Sequence, residues 1–179
     1  YAEISNSFGS FNTRKHTLSF GTGLHNNFEM NGRISNIASD GFIDRATSNM
    51  FGYFFNANYV KESTLVKFMA FGGKEKTYQA WYGIEDPEKL RNDRTFNPAG
   101  MYFDEFGNMK FYNNETDNYW QNHFQLHWTE KWSENWISNA ALHYTIGKGY
   151  FEQYKEDADL TDYNLPAFNG NSISDLVRK

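Results

Sequence analysis

The sequence lacks cysteine altogether and contains only three prolines among its 179 residues. The absence of cysteine excludes a disulfide framework and thiolate metal sites. No stretch approaches the roughly 18 to 20 consecutive apolar residues that a membrane-spanning helix requires. An excess of basic residues is also missing, because the formal net charge is −5, so there is no reason to expect nucleic-acid binding. If the chain meets a membrane, it must do so through strands or at the surface.

Aromatic residues are abundant instead, with 17 Phe, 12 Tyr and 5 Trp, and they recur in runs of alternating apolar and polar residues. Such alternation is typical of β-strands that have one apolar and one polar face. The pattern predicts an all-β antiparallel meander of about seven strands, at residues 2–8, 13–24, 28–37, 50–60, 64–79, 116–131 and 136–150.

The connections between these strands alternate in length. Three-residue turns at 25–27, 61–63 and 133–135 alternate with long polar loops at about 40–48, 80–115 and after 151. A soluble sandwich has little reason to sort its loops in this way. Transmembrane β-barrels do so, because their periplasmic turns are short and their extracellular loops are long. The sorting therefore indicates an outer-membrane barrel.

The alternation also divides the side chains between two faces, most clearly in the strands at 50–60 and 116–131. The phase of the strand at 64–79 stays open, because Leu65, Met69 and Phe71 interrupt its pattern. The predicted lipid-facing and interfacial residues are Phe51, Tyr53, Phe55, Trp120, Phe124, Leu126, Trp128, Trp132, Trp136 and Tyr144.

The tryptophans indicate where the membrane interfaces would lie. Trp128, Trp132 and Trp136 cluster around the short turn at 133–135, while Trp120 and Tyr144 occupy the far ends of the same faces. Eight residues at roughly 3.3 Å each, tilted by about 40°, cover on the order of 20 Å, close to the apolar band of such barrels. The same rings could also be ordinary cross-strand or core aromatics.

Four segments resemble TonB-dependent outer-membrane receptors. The stretch 4–13, with its Phe-Gly-Ser-Phe-Asn-Thr turn, resembles the start of the receptor barrel just after the plug domain. The run 32–44, which contains Asp-Gly-Phe, resembles the second hairpin of the family. The runs 71–81, Phe-Gly-Gly-Lys-Glu-Lys-Thr-Tyr-Gln-Ala-Trp, and 94–100, Arg-Thr-Phe-Asn-Pro-Ala-Gly, resemble one subgroup.

The resemblance implies a receptor in the outer membrane of a Gram-negative bacterium. Its 22-stranded barrel would be filled by a plug, and it would import an iron-siderophore, haem, cobalamin or an oligosaccharide with energy from the TonB complex. Residues 1–179 would be a partial barrel domain, without the plug, the remaining strands or the N-terminal box that TonB grips. The implied partners are the lipid bilayer, the plug of the parent protein, the TonB complex and a small-molecule ligand, and no cofactor is expected.

In such a barrel the polar face lines the lumen, where its side chains would contact the plug, line the path of the ligand or simply keep the interior hydrated. The predicted lumen-facing residues are Glu29, Arg33, Asn56, Asn58, Lys67, His123, Gln125, His127 and His143. His123 and His127 lie four residues apart on one strand, about 13 Å, so they cannot share a metal ion.

The loop at 80–115 is the best candidate for ligand contact. We expect at least one of Trp81, Tyr82, Arg91 and Arg94 to contact the ligand, because aromatic rings stack on planar groups and guanidinium groups pair with anions. A long loop so rich in rings could also fold on itself. Within this loop, 86–91 could form one helical turn, and 104–108 is typical of a hairpin turn.

The last segment, 152–162, is acidic, and we expect a solvated loop rather than a calcium site, because its spacing does not match an EF-hand. No catalytic fingerprint or carboxylate pair stands out, so the chain is not expected to be an enzyme.

Two alternatives remain open. A soluble carbohydrate-binding β-sandwich would bury Trp128 and Trp136 between two sheets. A passive outer-membrane pore would lack a plug and energised transport.

Overall fold

The computed structural model describes residues 1–179 and has an all-β fold. The elements in chain order are β1 (Ala2–Gly9), β2 (Thr13–Gly21), β3 (Phe28–Ser39), β4 (Ser48–Val60), β5 (Thr64–Tyr78), α1 (Pro87–Asn92), β6 (Met101–Phe103), β7 (Met109–Phe111), β8 (Thr116–Ser133), β9 (Trp136–Phe151), β10 (Gln153–Asp159), a 3-10 turn (Leu160–Tyr163) and β11 (Ile173–Arg178). No helix among them has the length and apolarity needed to cross a membrane.

The largest sheet has seven strands in the order β1-β2-β3-β4-β5-β8-β9, and neighbours along the sheet are also successive along its meander. The predicted seven-stranded antiparallel meander is confirmed. Strand ends differ from the predicted ones by up to three residues, the largest difference being at β2, which stops at Gly21 instead of residue 24. β6–β7 and β10–β11 form two separate two-stranded sheets.

The short turn between β2 and β3 shows how the local sequence sets the hairpin. Asn26 and Asn27 both have positive φ, at 47° and 71°, between the bridged pair His25 and Phe28. Two successive residues with positive φ make the tight hairpin turn that matches strand twist, and Asn tolerates this conformation better than most residues. The asparagines therefore fix this end of the hairpin.

The register between β3 and β4 brings several polar residues together on one face. Glu29 is opposite Asn58, Asn31 is opposite Asn56, and Arg33 is opposite Phe54. The adjacent pairs on the other face are apolar, because Ile34 lies opposite Tyr53 and Met30 opposite Ala57. Phe54 is thus an aromatic residue on the face that carries Glu29, Asn31, Asn56 and Asn58.

Contacts of Phe71 settle the phase of β5, which the sequence left open. Its ring lies 6.4 Å from that of Phe54 and stacks on His123 at 4.8 Å, so it belongs to the polar face. His123 in turn stacks on His143 at 5.8 Å. Because side chains alternate along a strand, Leu65, Lys67 and Met69 share this face with Phe71. The polar face therefore carries a row of rings across β4, β5, β8 and β9.

All residues predicted to face lipid share the opposite face. Tyr53 donates a hydrogen bond to Asn122 at 2.8 Å, so the even-numbered residues of β8 lie on the face of Tyr53. Phe124 stacks on Tyr144 at 6.4 Å, so the even-numbered residues of β9 lie there too. Trp128 and Trp132 meet edge to face at 6.2 Å near the turn that connects these strands. Whether this face meets lipid stays a prediction.

The chain divides into two compact units. Unit 1 comprises 1–40, 48–75 and 119–148, and unit 2 comprises 41–47, 76–118 and 149–179. Unit 2 therefore consists mainly of the three long connections that the sequence distinguished from the short turns. By the antiparallel order of the meander, all three leave the strands at the same end of the sheet.

Unit 1 is a single sheet with almost no apolar core. Ala70 is its only buried hydrophobic residue, whereas Trp136 is 71% exposed and Leu142 is 70% exposed. The β-sandwich alternative required Trp128 and Trp136 to be buried between two sheets, and no second sheet is present in this unit. That expectation is wrong for Trp136, and it is wrong because β8 and β9 continue the one sheet instead of packing against another.

Unit 2 is organised around a buried asparagine. Asn97 is only 1% exposed; its amide donates to the carbonyls of Asp44 at 3.0 Å and Gln79 at 2.9 Å, and its side-chain oxygen accepts from Ala99 at 3.1 Å. Arg45 donates to the carbonyl of Asn97. One side chain thus joins three segments of the unit.

Aromatic residues and a glycine complete this centre. The Arg45 guanidinium lies 3.6 Å from the ring centre of Phe111, and the Tyr78 hydroxyl donates to the Tyr112 carbonyl at 2.6 Å. Gly100 has a φ of +72° and lies so close to Tyr78 and Tyr112 that a Cβ there would clash. Since a positive φ and close packing both favour glycine, no other residue suits this position.

The remaining long-loop elements confirm two local predictions and correct one. The helical turn at 86–91 appears as α1, capped by Asp86, whose carboxylate accepts from the Glu88 amide. The hairpin turn at 104–108 connects β6 and β7. The segment after 151 was expected to be a loop, yet β10 and β11 pair in it as a hairpin. Its strands are separated by a 13-residue connection, so no local turn signal reveals the pairing.

Replacement of Asn97 by alanine tests whether this side chain holds unit 2 together. We expect Asn97→Ala to destabilise the unit by about 2 to 4 kcal/mol, because buried carbonyl and amide groups lose their partners. Hydrogen exchange should accelerate in peptides covering 41–47 and 76–80. Asn92→Ala, at the exposed end of α1, is the matched control. Equal exchange in the two variants would show that Asn97 is dispensable.

Candidate ligand-binding site

Two of the four residues predicted to bind a ligand form an exposed aromatic pair just after β5. The rings of Trp81 and Tyr82 stack at 4.3 Å with an interplanar angle of 20°. Trp81 is 72% exposed, and Tyr82 is 37% exposed. A large, ordered aromatic surface in contact with water is unusual in a protein and often marks a binding site.

Hydrogen bonds hold both rings in place. The Trp81 indole donates to the Gln79 side-chain oxygen at 3.3 Å, and Gln153 donates to the Tyr82 hydroxyl at 3.3 Å. Gln79 is buried, and its own amide donates to the Glu152 carbonyl at 3.4 Å. Its backbone N–H donates to the Glu115 carbonyl at 2.8 Å. The exposed pair is thus supported by a buried polar layer.

A cavity of about 360 Å³ lies beside Trp81. Its lining residues are Gln79, Trp81, Asp117, Phe151, Gln153 and Arg178. They combine aromatic surface with two amides, one carboxylate and one guanidinium. The Arg178 guanidinium lies 4.6 Å from the ring centre of Phe151, within the range of a cation–π contact.

The sequence did not identify Asp117, Gln153 and Arg178 as site residues. They lie on β8, β10 and β11, and Arg178 is 97 positions away from Trp81 in the chain. None belongs to a motif, and the pairing of β10 with β11 brings Arg178 to this place. Only the tertiary arrangement reveals them.

The structure does not bring Arg91 and Arg94 to this cavity. Arg91 is on the exposed surface of α1 and Arg94 is in the turn that follows it, and neither lines the cavity. Lys89 of the same helix lies 3.3 Å from the ring centre of Phe96, a contact between α1 and the segment that carries Arg94. The predicted set of four therefore separates into one stacked pair and two exposed arginines.

Glu152 was expected in a solvated loop, but it is only 3% exposed. It accepts hydrogen bonds from the Tyr112 hydroxyl and, at 2.6 Å, from the Asn114 amide, and it pairs with Lys179 at 3.1 Å. Burial alone would raise the pKa of Glu152, but these partners outweigh it and lower the pKa to about 2. The expectation of a solvated Glu152 is wrong because β9 leads directly into β10 and the carboxylate turns inward.

The partners of Glu152 respond in the opposite direction. The hydrogen bond to Glu152, together with burial, raises the pKa of Tyr112 to about 12. Nearby, the Tyr154 hydroxyl donates to Asp175 at 2.5 Å, and burial and this carboxylate raise the pKa of Tyr154. Both tyrosines therefore stay neutral at physiological pH and act as hydrogen-bond donors to these carboxylates.

The polar face of unit 1 contains a second, open cleft of about 630 Å³, lined in part by Arg33, Phe71, Gln121 and His123. On the same face Asn58 donates to Glu29 at 2.9 Å and Asn56 donates to Asn58 at 3.2 Å. His127 lies 3.1 Å from Gln125, and Thr145 bridges His123 and His143 at 2.9 and 2.8 Å. Seven of the nine residues predicted to line a lumen therefore make these hydrogen bonds, in three separate groups on one face.

No three His, Asp or Glu side chains are grouped so that they could hold a metal ion. Comparisons of the chain with protein-family models, with curated proteins and with solved structures found no match.

The carboxylate of Glu152 makes unit 2 sensitive to acid. Since its pKa is depressed in the folded state, its stabilising effect is complete above its ordinary pKa of 4.5 and is lost as pH falls towards 2. We expect protection from hydrogen exchange around 149–155, measured relative to the intrinsic exchange rate at each pH, to fall across this window. Glu152→Gln should be less protected at neutral pH and show a flatter pH profile of protection, whereas Glu85→Gln, on the surface, should behave as the unaltered protein does. Identical profiles for all three would contradict this account.

Proposed function

We propose that this chain is part of the barrel of an outer-membrane receptor of the TonB-dependent type, which takes up a scarce small-molecule ligand. The observation that carries the proposal is the single-layer sheet of unit 1, with its exposed apolar face and its polar opposite face. In water, such a face is an aggregation hazard. In a bilayer it is the surface that a barrel requires, while the polar face lines a water-filled or plug-filled interior.

The distribution of aromatic residues supports a bilayer as the medium. Trp128, Trp132 and Trp136 lie near one short turn, where a girdle at the periplasmic interface would be. Trp120 lies towards the far end of β8 on the same face, and Lys148 lies 5.8 Å from its ring, whereas Tyr144, predicted to share this end, lies at the middle of β9. A lysine beside an interfacial tryptophan suits the headgroup region, where its charge reaches water.

The edges of the sheet support the view that further strands complete it. β1 and β9 are the outermost strands, each paired on one side only. Unpaired backbone groups cannot remain within the hydrocarbon region, where each would cost several kcal/mol. In the proposed receptor, neighbouring strands of the parent barrel pair with both edges, a plug fills the interior, and the TonB complex supplies energy through an N-terminal box.

Unit 2 would then lie on the extracellular side and carry the ligand-binding surface around Trp81 and Tyr82. This side follows from connection length, because long loops of bacterial barrels face outward and short turns face the periplasm. A passive pore would share the sheet and its orientation. It would not require a rigid aromatic pair supported by buried hydrogen bonds, so the receptor is the better explanation of the same residues.

Cysteine labelling tests the orientation directly, because the chain has no native cysteine. Phe106, in the β6–β7 turn, is 87% exposed, and Glu134 lies in the short turn between β8 and β9. We expect a membrane-impermeant maleimide to label Phe106→Cys in intact cells, and to label Glu134→Cys only after the outer membrane is permeabilised. The reverse pattern, or equal labelling in intact cells, would refute the proposed orientation.

A further inference from the structure

We propose that the cavity beside Trp81 binds a neutral carbohydrate, an inference that rests on the proposed receptor function and names its ligand class. The ligand would place the face of a sugar ring on the indole and its hydroxyl groups among Asp117, Gln153 and Arg178. Four properties of the site lead to this class.

The first property is a rigid aromatic platform. Tyr82 covers one face of the Trp81 indole, and the indole nevertheless remains 72% exposed, so the remaining surface is open to a ligand. The C–H groups of a sugar ring offer an apolar face that packs on such a surface. Because Gln79 and Gln153 already hold the two rings, little conformational entropy is lost when the ligand binds.

The second property is a balanced set of polar groups. Asp117 only accepts hydrogen bonds, Arg178 only donates them, and the amide of Gln153 does both. A sugar hydroxyl also donates and accepts, so adjacent hydroxyl groups can satisfy all three side chains at once. One carboxylate and one guanidinium leave the cavity with no net formal charge, which suits a neutral ligand.

The third property is the charge of the surroundings. Unit 2 contains fifteen acidic and nine basic side chains, a formal charge of −6, whereas the whole chain carries −5. A field of this sign repels anionic ligands such as ferric catecholates or the carboxylates of a haem. A neutral ligand avoids this repulsion and needs no cluster of cations to compensate for it.

The fourth property is size. At about 360 Å³ the cavity is near the lower end of the range of roughly 300 to 1,000 Å³ that small-molecule sites occupy. Such a volume suits a sugar unit at the end or in the middle of an oligosaccharide. It suits a porphyrin or corrin macrocycle poorly.

The test is a binding screen on the purified full-length protein in detergent. The protein is applied to an array of neutral and acidic glycans, and the best neutral glycan is then titrated by calorimetry, with ferric enterobactin and haemin as anionic probes. We expect a neutral glycan to bind, Trp81→Ala to weaken its binding about tenfold, and Arg178→Gln to weaken it several-fold. Trp132→Ala is the matched control, since it removes another exposed tryptophan, on the sheet, and should leave the affinity unchanged.

Absence of binding to every neutral glycan would overturn the proposal, as would a preference for acidic glycans or for either anionic probe. Binding that Trp81→Ala and Trp132→Ala affect equally would also overturn it, because the site would then lie elsewhere. These results leave the receptor function standing if Phe106→Cys and Glu134→Cys label as expected. Failure of the labelling pattern would instead remove the receptor function itself.

Discussion

The division of side chains between a mainly apolar and a mainly polar face of one sheet is the constraint on which the rest of the molecule depends. In β3 and β4 every opposed pair belongs wholly to one face, so Glu29 meets Asn58 while Ile34 meets Tyr53. A shift of one residue in register would exchange the faces of a whole strand. Unit 1 has no second layer, and in the proposed receptor a bilayer covers its apolar face.

The long connections are stabilised differently, since few apolar residues are buried in them. Their centre is polar, with Asn97 joining three segments by hydrogen bonds and Glu152 collecting three donors. Buried polar groups of this kind are tolerated only when they have hydrogen-bond partners. These hydrogen bonds in turn fix the geometry of the groups. The same rigidity extends through Gln79 to Trp81, so the polar centre and the exposed aromatic pair form one supported structure.

The sequence predicted the seven-stranded meander well because alternation and turn chemistry are local signals. β8 was expected to begin at Thr116 and does so, and Asn26 and Asn27 mark their turn by residue type alone. The phase of β5 could not be read from the sequence, because Phe71 faces the polar side and its ring partners lie on neighbouring strands. The two sequence runs that suggested the receptor subgroup, 71–81 and 94–100, meet where Gln79 contacts Asn97.

The candidate site was only half predictable for the same reason. Trp81 and Tyr82 stood out as adjacent aromatics in a long loop, and they stack. The positions of Arg178 and Glu152 depend on the hairpin of β10 and β11. The connection between these strands is too long for a turn motif to predict their pairing. Contacts made over such distances along the chain leave no local signal in the sequence.

The central claim is that the apolar face of the sheet lies against lipid, and nitroxide scanning of β8 in reconstituted bilayers tests it most directly. Each position from 122 to 128 is replaced in turn by cysteine, which residues 1–179 otherwise lack, and labelled. If this face meets lipid, accessibility alternates, with the Phe124, Leu126 and Trp128 positions accessible to oxygen and the His123, Gln125 and His127 positions accessible to a water-soluble nickel chelate. Uniform access of the nickel chelate, with no alternation, would contradict it.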